Sequence, residues 1–186
     1  MPTSPFTCIV KSIQADKDSE APGFDPENGN ESARFLFVLE APGPKAKERR
    51  IVSINNNDQT AKNFRQQLKA AGIEQADIAV WNIVPWYLGN LEGTRIRAAN
   101  SDDIRKGLPY LGRVIKAMPK LQCIVLVGGK ARGAHIWLSS FGTAARILSC
   151  HHPSPKVLNS DLAAGPENIK IFRRMLRDAN SSGTRT

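Results

Sequence analysis

From Arg34 onward the chain alternates short, uninterrupted apolar runs with longer stretches in which apolar and polar positions recur at helical spacing. The runs FLFVLE (35–40), IAVWNIV (78–84) and CIVLVGG (123–129) are rich in β-branched residues and closed by breakers. That is the pattern of strands buried on both faces. ARILSCHH (145–152) is a weaker fourth strand. Between them the spacing predicts helices over 58–71, stopped by Gly72, over 101–118 and over 130–140, with a last helix at about 166–179 opening at Pro166 and Glu167. Asp58 and Ser101 are the predicted N-caps, because a short oxygen-bearing side chain can accept from the free amides of a first turn. Strands alternating with helices place the chain in the α/β class, with a mostly parallel four-stranded sheet covered on both faces, since right-handed crossovers carry the helices over the sheet.

Residues 14–33, QADKDSEAPGFDPENGNESA, have almost no apolar anchor and many turn formers. The organisation read from this is an N-terminal segment, 1–33, partly loop or disordered, one α/β domain over 34–180 and a flexible tail at 181–186. A length of 186 residues fits a single core and leaves little room for a second. No apolar run approaches the ~18 residues of a membrane span, and the start, MPTSPFTC, lacks the basic-then-apolar signal-peptide pattern. The expectation is a cytoplasmic monomer. Three widely spaced cysteines, Cys8, Cys123 and Cys150, can build neither a disulfide framework nor a four-thiolate metal site, so no metal and no cofactor is expected.

Charge changes this picture of an ordinary α/β domain. The net charge is +9, but residues 1–31 carry two basic and six acidic side chains, which leaves +13 on residues 32–186. A cationic body of this kind attracts polyanions through counterion release, and nucleic acid is the largest class of them. In parallel sheets, ligands bind beyond the carboxyl ends of the strands. The segments there read EAPGP (40–44), PWYLGN (85–90), GGKAR (128–132) and HHPSP (151–155), all on one edge, so one composite site is the economical reading.

His152 stands on backbone stiffened by Pro153, which suits either a catalytic imidazole or a turn histidine. Cys150, His151 and His152 are consecutive, and adjacent side chains on an extended strand cannot converge on one ion. Asn82 lies inside a strand, where its amide needs a partner, either a ligand or a neighbouring loop. Pro42 and Gly43 let backbone approach a ligand, and Glu40 pairs either with the site or with Lys45, Lys47, Arg49 or Arg50. Gly128, Gly129, Lys130 and Arg132 open a helix in the manner of a phosphate cradle without P-loop spacing. Trp81 reads as core, and His135 as a surface or packing histidine.

EAPG after the first strand, Asn within the second, LVGG, and HPSP near the end resemble the uracil-DNA glycosylase superfamily. The nearest pattern is its family-four, bacterial and archaeal type, over about residues 34–178, and the helix end QQLKAAGI (66–73) is similar too. The resemblance implies a three-layer α/β/α sandwich that flips a deoxyuridine out of DNA and hydrolyses its N-glycosidic bond. It places Asn82 on the uracil edge, His152 as donor to the base O2, and Ala41, Pro42 and Gly43 at the base. Asn56 falls near the position of the ring that stacks on the base, where Trp86 or Tyr87 would have to substitute. Ser154, Lys156, Val157 and Leu158, with Lys130 and Arg132, would meet DNA, an apolar loop tip wedging into the duplex while Lys156 takes a phosphate. The chain departs from the pattern in lacking the four cluster cysteines and in having Ala41 where Asp or Asn positions water, so hydrolysis would either be slow or lean on Glu40. Two functions follow: a glycosylase acting on uracil or a related deaminated base, or a module of the same fold that binds nucleic acid or a base with hydrolysis weak or lost.

Overall fold

A computed structural model describes residues 3–90 and 95–182. Four parallel strands form the central sheet: β2 (Phe35–Leu39), β4 (Ile78–Asn82), β5 (Cys123–Val127) and β6 (Arg146–Cys150), in the order β4-β2-β5-β6. A two-stranded parallel sheet pairs β1 (Gly23–Phe24) with β3 (Ile51–Val52). Alternation along the strands sorts the core into two layers. Leu36, Val38, Ala79, Trp81, Ile124 and Leu126 pack on helices α1 (Pro5–Asp16), α4 (Ser101–Lys116) and α6 (His135–Phe141). Phe35, Phe37, Ile78, Val80, Val125 and Val127 pack on α3 (Gln59–Ala71) and α8 (Ala164–Ser182). The α/β expectation holds, and the sheet is parallel throughout.

Three local predictions differ. Helix α1 stands inside the segment expected to be partly loop: Phe6, Ile9, Val10 and Ile13 are buried at helical spacing, and the Ser4 side chain caps Thr7 N–H. Phe24 then stacks between Phe6 and Trp81, so this segment is part of the core rather than outside it. The cap of α4 is Asn100, not Ser101: Asn100 and Asp103 satisfy each other's backbone amides in a capping box. The stretch expected as one helix over 130–140 is broken into α5 (Gly128–Ala131), a 3-10 turn over Arg132–Ala134, and α6. Asp58 caps α3 as predicted, accepting from Ala61 N–H at 2.9 Å. Of the expected tail, residues 181 and 182 end α8, and 183–186 lie outside the described residues.

Parallel pairing brings the carboxyl ends of all four strands to one edge. Ladder bonds continue past the strands there, with Ile83 N–H to Leu39 O and Val84 N–H to Glu40 O. Those bonds hold the two segments that follow β2 and β4 side by side.

Candidate active site

A cavity of about 290 Å³ opens at this edge on the α3 side of the sheet. Its walls include Ala41, Pro42 and Gly43 from the turn before α2 (Pro44–Arg49), Asn82 from the end of β4, Phe64 from α3, and His152. The fold therefore joins residues 41–43, 82 and 152 in one cavity, whereas no residue of 85–90, expected at the same composite site, lines it. An adjoining, more open cleft of about 420 Å³ is lined by Glu40, Gly128, Gly129, Lys130, Ser154 and Val157, with His152 on its wall as well. His152 thus borders both spaces.

Asn82 is 3% exposed, and its Nδ2 is buried with no hydrogen-bond partner. Strand alternation puts it on the same face as Val80, against the cavity. An orphaned buried amide costs about 1–3 kcal/mol, so a site that keeps one is a site prepared for an acceptor. Asn56 behaves in the opposite way. It lines the cavity, but its Nδ2 donates to Ile51 O and its Oδ1 accepts from Arg49, so the expected base contact is already occupied by internal bonds.

His152 is held from two sides. Ser154 N–H donates to its Nδ1 at 3.2 Å, which leaves the proton of a neutral ring on Nε2. Burial pushes its pKa below the ordinary histidine range, against the opposing pull of Glu40. Gly128 takes φ +84°, and a Cβ there would lie 3.0 Å from His152 Cβ. Gly128→Ala is therefore expected to cost about 1–2 kcal/mol of backbone strain, lowering the melting temperature by roughly 2–8 °C, and to push the ring out of line. Thermal unfolding reads the first effect; an unchanged melting temperature would refute it.

Glu40 pairs with none of the predicted cations. Its Oε1 accepts from Ala99 N–H at 2.7 Å, pinning the segment that leads into α4 against the site. Lys45 instead pairs with Glu48, and Lys47 and Arg50 with Glu20. The rings suggested for stacking are elsewhere: Trp86 packs on the α1 side of the core, and Tyr87 lies under Lys47 Nζ at 4.8 Å. Phe64 supplies the aromatic wall. It was missed because on α3 it is indistinguishable in sequence from core, and it does pack edge-on against Phe37 and Phe172.

The chain after His152 is a helix, α7 (Pro155–Ser160), not a loop. Ser154 precedes it and Pro155 opens it. Lys156 is exposed, Val157 lines the cleft, and Leu158 is half-buried and turned toward Gly165. The projecting apolar side chain is Leu162, 84% exposed in the turn beyond. Arg132 donates to Cys150 O at 3.3 Å, whereas Lys130 is exposed on the cleft. His135 is on the surface and Trp81 in the core.

The cysteines do not fit a cluster. Cys8 is exposed on α1, and Cys123 and Cys150 stand at opposite ends of neighbouring strands, paired with Arg146 and Val127. Burial pushes both inner thiols up to about 12. Among the described residues no group of three or more His, Cys, Asp or Glu side chains could hold a metal ion, and no helix is long and apolar enough to cross a membrane.

The architecture has solved counterparts. SMUG2 of Pedobacter heparinus superposes with a TM-score of 0.60 at 13% identity, over 95% of this chain and 98% of that one. A candidate uracil DNA glycosylase from Methanosarcina acetivorans superposes at 0.53 with 16% identity, over 83% of this chain and 98% of the other. At such identities the likeness is one of fold. The sequence matches no curated protein. The family model of the uracil DNA glycosylase superfamily matches residues 26–179, most of the chain and every strand of the central sheet. The protein belongs to the uracil DNA glycosylase superfamily.

Proposed function

We propose that this chain is a DNA glycosylase that draws a uracil, or a related deaminated base, out of DNA into the 290 Å³ cavity and hydrolyses the bond from its nitrogen to the sugar. The supporting observation is that the buried, unpartnered amide of Asn82 and the ring of His152 wall the same space. Asn82 Nδ2 is available to the base O4, and its Oδ1 can accept from N3–H. Cytosine presents the reverse pattern, and would leave both sides unpaired. As the bond breaks, negative charge gathers on the departing base. The Nε2–H of a neutral His152, aimed at O2, stabilises that charge without first having to lose its own solvation.

Ala41 offers no carboxylate at the turn before α2. Glu40 spends one oxygen on Ala99; the other is the group that would hold the attacking water on the far side of His152. Lys130, Ser154 and Val157 in the open cleft and Lys156 beside it are placed to meet the strand, and Leu162, rather than Leu158, is the apolar tip that would enter the duplex.

The test is release of free uracil from a labelled uracil oligonucleotide, followed by alkaline cleavage at the abasic site. Salt-sensitive binding with no abasic product would instead favour the second reading, a base-holding member of the fold without hydrolysis, to which Ala41 points.

The ring environment sets the pH dependence. Protonating Nδ1 would turn it against Ser154 N–H and charge a buried ring, so base release is expected to be flat above neutrality and to fall in acid. Because the folded-state pKa lies below the unfolded value, the unfolded chain binds the proton first as pH falls, and stability is lost through the same window, below about pH 6.5. An acid limb centred at or above 6.5 would contradict the assignment.

A further inference from the structure

We propose that Asn168 is a positioning residue for His152, clamping the backbone one residue ahead of the ring, and that with Gln67 it ties the ring to the opposite wall of the cavity. This rests on the glycosylase reading for its consequence, though not for its geometry. Strand β6 is at the edge of the sheet and ends at Cys150, so the peptide groups of His151 have no further strand to pair with on the outer side. Asn168, near the start of α8 and 0% exposed, takes both: its Oδ1 accepts from His151 N–H at 2.8 Å, and its Nδ2 donates to His151 O at 3.0 Å. One side chain thereby acts as a two-point strand partner.

The second Nδ2 hydrogen goes to Gln67 Oε1 at 3.0 Å, and Gln67 is itself 6% exposed on α3. Every polar hydrogen of this buried asparagine is used, and each use constrains the site. Phe64, one turn before Gln67 on the same helix, lines the cavity, so the link fixes the aromatic wall relative to the histidine. On its other side His152 is confined by Gly128 and by Ser154 N–H. Asn63 Nδ2 donates to Pro153 O at 2.9 Å and Arg132 to Cys150 O at 3.3 Å, but among the described residues Asn168 is the side chain that holds the peptide groups of His151, next to the ring. A displacement of about 1 Å at a reacting group costs on the order of 10²-fold in rate, which is the effect expected of losing the clamp.

The test is Asn168→Asp, which keeps the size and the acceptor for His151 N–H but loses both donated bonds, with Asn168→Ala beside it and thermal unfolding confirming that each is folded at the assay temperature. Single-turnover base release is expected to fall about 10–100-fold with the oligonucleotide KM changed less than about twofold. In the His152→Ala background the same substitution is expected to add almost nothing, because it acts through the missing ring. An equal loss in both backgrounds, or no loss in either, would overturn the proposal. The chain has only three histidines, so ring NMR of Asn168→Ala, which adds no charge, gives a second readout: the His152 signals should shift and their pH midpoint move toward the ordinary 6.5, with His135 unmoved. If the wild type releases no base, the functional reading fails by itself, and the ring signals still judge the clamp: unchanged His152 signals in Asn168→Ala reject it.

Discussion

Replacing His152 with alanine is expected to lower the single-turnover rate of uracil release about 10²–10³-fold, the effect of deleting one fixed donor at a developing anion. The loss should fall on the chemical step and spare binding. On the glycosylase reading, affinity for the oligonucleotide comes chiefly from the positive charge of residues 32–186, to which a neutral ring adds nothing, so affinity for uracil DNA should change by no more than about threefold. His152→Gln supplies an amide donor of different reach and should recover part of the loss, whereas a ring that served only to close a turn would give equal rates for both variants. The protein should remain folded in each case, since the ring's one side-chain hydrogen bond is to the amide two residues on. A His152→Ala variant that releases uracil at the wild-type rate would remove the imidazole from the mechanism.

Three strands were legible because they are buried almost throughout and so appear as unbroken apolar runs, FLFVL, IAVWN and CIVLV; RILSC, the half-exposed edge strand, gave the weaker signal that its place predicts. Helix α1 was equally written, in Phe6, Ile9, Val10 and Ile13 after Ser4 and Pro5, but attention to the polar stretch 14–33 behind it left those positions without an assigned element. The two-residue strands β1 and β3 carry no local signal, being made by pairing between distant segments. At the site, Pro, Gly, Asn and His are residue types that stand out at strand ends, and the fold gathers those at 41–43, 82 and 152. Phe64 and Asn168 could not be singled out in the same way, and Gly128 stood out only as part of a phosphate cradle, not for its contact with His152. Each matters through what lies across from it, a cavity, a ring and a peptide group, and none of those neighbours is adjacent in sequence. Asn56 shows the converse: a polar residue in the expected place whose amide is consumed by Arg49 and Ile51.

Asn82 carries the sharpest prediction, because its substitution should move stability and activity in opposite directions. In the free protein its Nδ2 is buried and unbonded, a state that costs about 1–3 kcal/mol. Asn82→Ala or Asn82→Leu removes that unpaired group from a position at the end of a strand buried along its whole length. The Leu variant, close in size, should leave the melting temperature unchanged or raise it by a few degrees, at about 2–4 °C per kcal/mol for a chain of this length. Uracil release should meanwhile fall about 10²–10³-fold, since the two hydrogen bonds proposed to the base are lost. Discrimination should fall with it: uracil loses its two bonds, cytosine loses only its mismatch, and the ratio between them contracts. A core asparagine satisfied in some other way would behave differently, with Asn82→Leu destabilising the fold and any loss of activity simply following the loss of folded protein. Measuring melting temperature and base release on the same preparations separates the two, and a variant both less stable and fully active per folded molecule would show that this carboxamide never faced a base.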